Sequence, residues 1–456
     1  MRDLLIAGIV LGLLPFILRS PRLGAYVWTW LSMMNPHRAA FGFARAFPFA
    51  YLVAIATLIG FLFSRERRPF PLSSITVVYL LFIVWMSVTS LFALNTMDVV
   101  LDRWIFVLKI HLMLLVTMML IRGREQIERL VWVVTLSVGF YGFKGGVWTV
   151  IGGGSGMVWG PAGSMIEGNN ELGLALVMLI PFMYFLHQVS TRNLVRLALI
   201  LGMIATCFAI LGSQSRGALL ALVAMAFVLA LKGKHPVQMS VLLAGLLVVA
   251  ILFMPESWSG RMETIQTYEQ DASAMSRIYT WKTLWALALD RPLVGAGFAT
   301  DNPVVFALYA PERVGDYVGG GIFVAHSIYF QALGEHGFPG LMLYLLLGFF
   351  TWRKAGKIAE QTKDDPEFAA WAPVLMRMVQ VSLAGFAVGG AFLTLVHFDL
   401  PYYIAAYVVL VEATLRERGK QRVGATLPAG LLASPHPLQT GNSNDSLGGK
   451  TAAPAL

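Results

Sequence analysis

The chain has 456 residues, of which 57% are hydrophobic and only 13% charged, with a net charge of +9 and a mean hydropathy of +0.69. So little charge cannot clothe a soluble globule of this length, which excludes the soluble classes and places the chain in a lipid bilayer. The basic excess sits mostly in short connections between apolar runs, so it is a topology signal, and nucleic acid is excluded as a partner.

Apolar runs of about 15 to 24 residues recur along nearly the whole sequence, the length that carries a helix across roughly 30 Å of hydrocarbon. In chain order the predicted spans are 4–18, 23–34, 47–63, 74–94, 104–121, 130–151, 171–187, 194–212, 217–231, 237–254, 323–350, 371–396 and 400–415. The fold class is therefore all-α: a polytopic integral membrane bundle of about 12 transmembrane helices, with one large polar excursion over 255–325. The first run follows Arg2 as a signal peptide would, but Arg19-Ser20-Pro21-Arg22 is no small-residue cleavage site, and the run is read as an anchor. The runs 4–18 and 23–34 are both short, and the reading takes them as a single crossing interrupted by that basic break.

Basic residues fix the orientation, because positive loops stay cytoplasmic. Arg65, Arg67 and Arg68; Arg122, Arg124 and Arg129; Arg192 and Arg196; Lys232 and Lys234; Arg353, Lys354 and Lys357; and Arg416, Arg418, Lys420 and Arg422 fall on alternate connections. The intervening connections, 255–325 included, are thus expected outside, in a periplasm-like space. The organisation that follows is 1–254 transmembrane, 255–325 a large outer loop, 326–415 transmembrane and 416–456 a disordered cytoplasmic tail rich in Gly, Pro, Ser and Asn. Cys207, the sole cysteine, sits within an apolar span, so one chain can form neither a disulfide nor a thiolate cluster.

Against this background a few polar residues stand out. Arg216, in Gly212-Ser213-Gln214-Ser215-Arg216-Gly217, is an arginine at the outer end of two long spans, and at least roughly 2.5–3.5 kcal/mol would be needed to hold it in hydrocarbon. With the Ser213 and Ser215 hydroxyls it would make an anion site, the bland reading being an arginine that snorkels to lipid phosphates. Over 276–289, apolar residues at 278, 281, 284/285 and 288 describe an amphipathic helix on the membrane surface, with Trp281 and Trp285 at headgroup level and Arg277 near its anion-favouring N-terminus. Gly295-Ala296-Gly297 lacks the strand and the Gly-Lys-Ser/Thr element of a nucleotide loop. His326 would open the helix that begins near 323, at the outer membrane boundary and partly dry, where an imidazole can stay neutral and act as a general base; the bland reading is an interfacial helix cap. Glycines 334, 337 and 340 at period three would give that helix a smooth packing face, with Glu335 and His336 deeper and paired with each other or with a neighbour. The outer acidic residues Glu256, Glu263, Glu269, Asp271, Asp290, Asp301, Glu312 and Asp316 form no Asp-x-Asp pair, and no metal constellation or cofactor motif is visible.

The string from Arg277-Ile-Tyr-Thr-Trp281 through Asp290-Arg-Pro292-Leu-Val-Gly295-Ala-Gly297-Phe resembles the hallmark loop of the O-antigen ligase and polymerase superfamily. His326-Ser327 followed by Gly337-Phe-Pro-Gly340 is similar to the motif after that loop in the ligases, and Ser215-Arg216-Gly217 to the family's arginine at the head of a transmembrane helix. Trp30-Leu-Ser-Met-Met-Asn-Pro-His37-Arg38 resembles a subgroup described as exosortase-associated O-glycosylation ligases. The motifs cover about residues 160–345, and the hydropathy profile fits nearly the whole chain.

The resemblance implies a GT-C-like fold and a multi-pass protein of the bacterial inner membrane with its active site facing the periplasm. It implies transfer of a glycan from an undecaprenyl pyrophosphate donor to a sugar hydroxyl of lipid A-core, without metal and with inversion. His326 would be the general base, and Arg216 and Arg277 would bind the pyrophosphate and stabilise the leaving group. Asn169 and Asn170, Ser215, and Asp399 in His397-Phe398-Asp399 are weaker candidates for substrate binding. An O-antigen polymerase or a protein O-glycosylation ligase would use the same donor. A lipid-linked sugar transporter would need no base, but the internal repeat such a fold would show is not visible. A metal-dependent polyprenyl-phosphate glycosyltransferase would draw on Asp98 and Asp102.

Overall fold

A computed structural model describes residues 1–232, 272–311 and 324–426, together with the single helical positions 245 and 248. The span expected over 237–254, the outer acids Glu256, Glu263, Glu269, Asp271, Glu312 and Asp316, and the tail beyond 426 lie outside the described residues. Among those residues every regular element is helical: α1 (Arg2–Arg19), α2 (Pro21–Met34), α3 (Phe49–Phe63), α4 (Ser74–Ser90), α5 (Met97–Leu120), α6 (Arg124–Ile151), α7 (Asn169–Val189), α8 (Asn193–Gly212), α9 (Arg216–Lys232), α10 (Ala272–Asp290), α11 (Pro303–Tyr309), α12 (Ile328–Gln361), α13 (Ala372–Gly389) and α14 (Asp399–Thr426).

Five of these segments, α6, α7, α8, α12 and Ala372–Phe392, are long and apolar enough to cross a membrane, and α3 and α4 are shorter apolar helices. This is the profile of a multi-pass membrane protein. The chain divides into a unit spanning Met1–Thr414 and a second spanning Leu415–Leu456. In the second, the helix continues through Thr426, where the sequence reading has a disordered tail from 416. Leu415, Arg416, Glu417 and Arg418 are good helix formers and extend it.

Within the first unit the helices have two distinct ends. At one, the Ser20 hydroxyl and the Arg22 amide donate to Glu66, Arg68 N donates to Met119 O, the Arg122 guanidinium donates to Pro69 O, Gly123 N reaches Thr414 Oγ1, and Lys354 pairs with Glu412 at 2.9 Å. Several of the basic connections singled out from the sequence therefore gather on one side. At the other end, Asp3 accepts from the amides of Gly42 and Ala44, and Ser32 donates to Asp399.

These contacts correct the reading of the first two runs. Asp3 is at the end where α3 begins, whereas Ser20 is at the end where α3 stops, and α2 returns alongside. The two helices form a hairpin and not one interrupted leg. Pro21 has no amide to continue α1, Ser20 takes a non-helical conformation, and Glu66 collects the donors freed by the turn.

Close backbone approach welds the centre. A Cβ on Gly146 of α6 would lie 1.9 Å from the Ala205 carbonyl oxygen of α8, so only glycine permits that contact. The helices α2 and α14 are joined by Thr29 and Tyr403, whose hydroxyls are 2.9 Å apart.

The helix α12 is broken at Gly337, which has φ +67°. Pro339 has no amide to give the Glu335 carbonyl, so the break leaves carbonyls open. The 292–297 segment closes them: Ala296 N donates to Gly334 O, Gly297 N to Glu335 O, and Phe338 N turns back to Pro292 O, all within 2.8–2.9 Å. Trp85 Nε1 donates to His336 O. Gly337 thus marks a discontinuity, contrary to the smooth packing face expected from glycines at period three. Alanine there would place its Cβ 2.4 Å from Leu293 O in a left-handed conformation. We expect Gly337→Ala to lose at least about 1–3 kcal/mol from the backbone alone, read as a lowered unfolding temperature in detergent, while Gly348→Ala, with nothing within 4 Å of its added carbon, leaves it unchanged.

Candidate functional site

His326 precedes α12 instead of opening it. Ser327 is the N-cap, and His326 holds φ +42°, a left-handed conformation rare for a side chain of its size. Two bonds impose it. The His326 amide donates to Thr394 Oγ1 at 2.8 Å, and the Trp281 indole donates to the neighbouring Ala325 carbonyl at 2.7 Å. Trp281 also stacks on Phe330 with ring planes 7° apart. The tryptophan expected at headgroup level is therefore turned inward as a brace for the histidine loop. Along α10 the buried positions are 280, 283, 284, 287 and 288, with Trp285 and Leu289 exposed, so the helix is amphipathic with a face shifted slightly from the one expected.

Burial pushes the His326 imidazole down to about 4, and the Arg277 guanidinium adds to the effect. Nδ1 is buried without a hydrogen-bond partner. The ring is neutral at pH 7, as a base must be. Arg277, in the second turn of α10, also interacts electrostatically with Glu171, in the first turn of α7. One guanidinium thus links α7, α10 and the loop before α12. Glu171 was missed in the sequence because an acid in a helix's first turn is ordinary there.

Arg216 is the first residue of α9 and half-buried. The turn before it is shaped by Gln214 at φ +53°, whose side-chain amide donates to Gly154 O. Ser215 Oγ accepts from Ala218 N and caps α9, while the Ser213 hydroxyl, fully buried, donates to Ile210 O. The expected help of these two hydroxyls to an anion is thus reduced: Ser213 is committed to backbone, and Ser215 keeps only its proton. Asn169 Nδ2 donates to Ser213 O at 2.7 Å, tying the start of α7 to the Arg216 turn. Asn170 follows it, half-buried.

Asp399 stands apart from this group. It is buried, accepts from Ser32 at 2.5 Å and lines a cavity of about 1080 Å³. Arg38, Arg45, Arg103, Asp301, Glu335, Thr394 and His397 share that wall with apolar residues of α3 and α5, including Tyr51, Ile55 and Phe106. Burial holds the Asp301 carboxyl above its usual range. Arg216, Arg277 and the His326 ring are not on the wall, but Ala325 and Thr394 are, so the cavity and the histidine-arginine group are neighbours across one loop.

A third cluster was not legible from spacing. Glu335 Oε2 lies 2.7 Å from His397 Nε2 and 3.7 Å from His336 Nε2, and all three residues are buried. Gln331 holds both partners together, with its amide nitrogen toward Glu335 and its oxygen accepting from Val396 N. Asp98 and Asp102 are exposed on α5.

The lowered proton affinity of His326 has a stability consequence. The unfolded imidazole titrates near 6.5 and the folded one near 4, so between these values the unfolded chain binds the extra proton; the stability is complete above about pH 6.5 and is lost as pH falls toward 4. Between pH 7 and 5 the unfolding temperature of the wild type is expected to fall more than that of His326→Gln.

Residues 201–345 match the model of a family described as O-antigen ligase, and residues 1–191 match a family of unknown function. No curated protein matches the chain. The first match takes in Arg216, Arg277, His326 and the break of α12, so it is this segment that is similar to the O-antigen ligase family.

Proposed function

We propose that the protein is an O-antigen ligase of the bacterial inner membrane that transfers a glycan from undecaprenyl pyrophosphate to a sugar hydroxyl of lipid A-core in lipopolysaccharide biosynthesis. The superfamily match supports a ligase or polymerase function in O-antigen biosynthesis. The observation that carries the finer reading is the pairing of a neutral, half-buried His326 with the Arg277 guanidinium inside the matched segment.

A sugar hydroxyl is a poor nucleophile at neutral pH. His326 takes its proton as the oxygen attacks the anomeric carbon, the bond to the pyrophosphate oxygen breaks on the opposite face, and configuration inverts. Such a base contributes about 10²–10⁴-fold. The departing pyrophosphate carries the charge, and Arg216 and Arg277 hold it by charge-assisted hydrogen bonds, each worth about 10²–10³-fold when aimed at the developing charge. No metal enters these steps, and no nucleoside triphosphate is consumed. Asn169, Asn170 and Ser215 border the donor side.

The cavity beside Ala325 and Thr394 suits the acceptor. Its basic residues Arg38, Arg45 and Arg103 match an anionic head group, and the apolar residues of α3 and α5 match lipid tails entering sideways from the outer leaflet. Asp399 positions the acceptor there. With α1 and α2 as a hairpin, the first two runs make two crossings in place of one, and the site end is read as periplasmic.

The test is transfer by purified protein from undecaprenyl-pyrophosphate glycan to lipid A-core. His326→Ala should lower the rate by at least about 10²-fold, and Arg216→Ala and Arg277→Ala each by about 10²–10³-fold. Glycan appearing on a second lipid-linked glycan would make the protein a polymerase, and glycan on a Ser or Thr hydroxyl a protein O-glycosylation ligase, the activity of the subgroup its N-terminal residues resemble. Movement of donor without transfer, undiminished in His326→Ala, would make it a transporter. For the wild type, the acid limb of kcat/KM should lie below about pH 5, with no inflection near 6.5, because the base titrates near 4.

A further inference from the structure

The buried cluster at the break of α12 carries chemistry that the transfer does not use. The Thr89 hydroxyl gives its proton to the Met86 carbonyl, so it can only accept from His336 Nδ1, which stands 2.8 Å away. With the Thr89 proton on Met86 O, the matching His336 tautomer carries its proton on Nδ1 and presents Nε2 as a lone pair. That nitrogen is fully buried, has no hydrogen-bond partner, and faces a carboxylate oxygen of Glu335 at 3.7 Å. Two electron-rich atoms confront each other in a dry place, an arrangement that a cation between them stabilises.

The third group completes a donor set. His397 Nε2 is 2.7 Å from the same Glu335 oxygen, and the three ligand atoms all lie within 4.8 Å of one another. We propose that Glu335, His336 and His397 bind one divalent transition-metal ion of the zinc class. Two imidazoles and a carboxylate at these separations suit ligand bonds of about 2.0–2.2 Å after a small relaxation, and nitrogen donors disfavour magnesium and calcium. The Nδ1–H to Thr89 bond is the outer contact that orients a metal-bound imidazole. For His397 to coordinate through Nε2, its proton moves to Nδ1, which is buried without a partner.

The ion does not belong to the transfer centre. Ser327 to Glu335 is on the order of 12 Å of helix rise, at 1.5 Å per residue, so the cluster lies well below the His326 loop. Its ligands instead join the two residues just before the Gly337 break to the turn that leads into α14. The ion is a strut across that break, and a cavity partly lined by Glu335 and His397 gives it a way in.

The test is a Co(II) titration of tag-free, full-length protein in detergent after chelator treatment. We expect one saturating equivalent with the visible absorption of a low-symmetry, nitrogen-ligated Co(II), displaced by Zn(II) and not by Mg(II), and a raised unfolding temperature with Zn(II). His336→Gln and His397→Gln should each abolish the saturable signal, whereas His326→Ala retains it. If the ligand variants do not fold, the wild type alone decides: absence of a saturable Co(II) signal in protein with intact helical circular dichroism overturns the proposal. An equal signal in both folded ligand variants overturns it as well.

Discussion

A backbone carbonyl inside a membrane protein must find a donor, and around Gly337 the helix itself cannot supply one. Pro339 removes the amide that would serve Glu335, and the left-handed glycine turns the next amides elsewhere. Much of the architecture near the site answers this requirement. The 292–297 segment lies against the break because its amides satisfy Gly334 and Glu335, and the Trp85 indole is fixed by the His336 carbonyl. Gly295 and Gly297, both at positive φ, permit the approach: a Cβ on Gly295 would come 2.4 Å from Gly334 O.

Two strings that look separate in the sequence, Pro292 to Gly297 and Gly334 to Gly340, are thus one hydrogen-bonded object. Docking the first string on the second fixes where α10 ends, and therefore where Trp281 and Arg277 stand relative to the loop before α12. Trp281 holds Ala325, Thr394 holds His326, and Arg277 reaches both His326 and Glu171. The conformational cost of a left-handed histidine is met by the Trp281 contact, which descends from this break, and by Thr394 from the segment between α13 and α14.

The helices were largely legible because most of them coincide with apolar runs, and over much of the chain the described helices follow the predicted spans within a few residues. What escaped was pairing across sequence distance. The break Arg19 to Arg22 reads equally as an interruption or a turn until Glu66 is seen collecting its donors. Arg216, Arg277 and His326 were visible as polar residues against grease, and the structure brings Arg277 beside His326. The roles of Trp281 and Ser213 were not visible, since an indole on an amphipathic helix can face lipid or protein, and a serine next to an arginine can serve an anion or the backbone. Glu335 and His397, 62 residues apart, show no ligand spacing at all. Only the return of the chain after α13 makes them neighbours.

The link between α2 and α14 bears on how the protein is made. Ser32 holds Asp399 and Thr29 holds Tyr403, so α2 is completed by a helix synthesised almost at the end of the chain. The polar groups of α2 must wait in the bilayer, provisionally satisfied by their own helix, as Thr29 is by the Ala25 carbonyl. Biosynthesis therefore closes the cavity wall last. A nascent chain that has not yet made α14 carries the arginines and the histidine but lacks the Asp399 and Tyr403 partners of α2, and such incompletely packed species are the aggregation-prone ones.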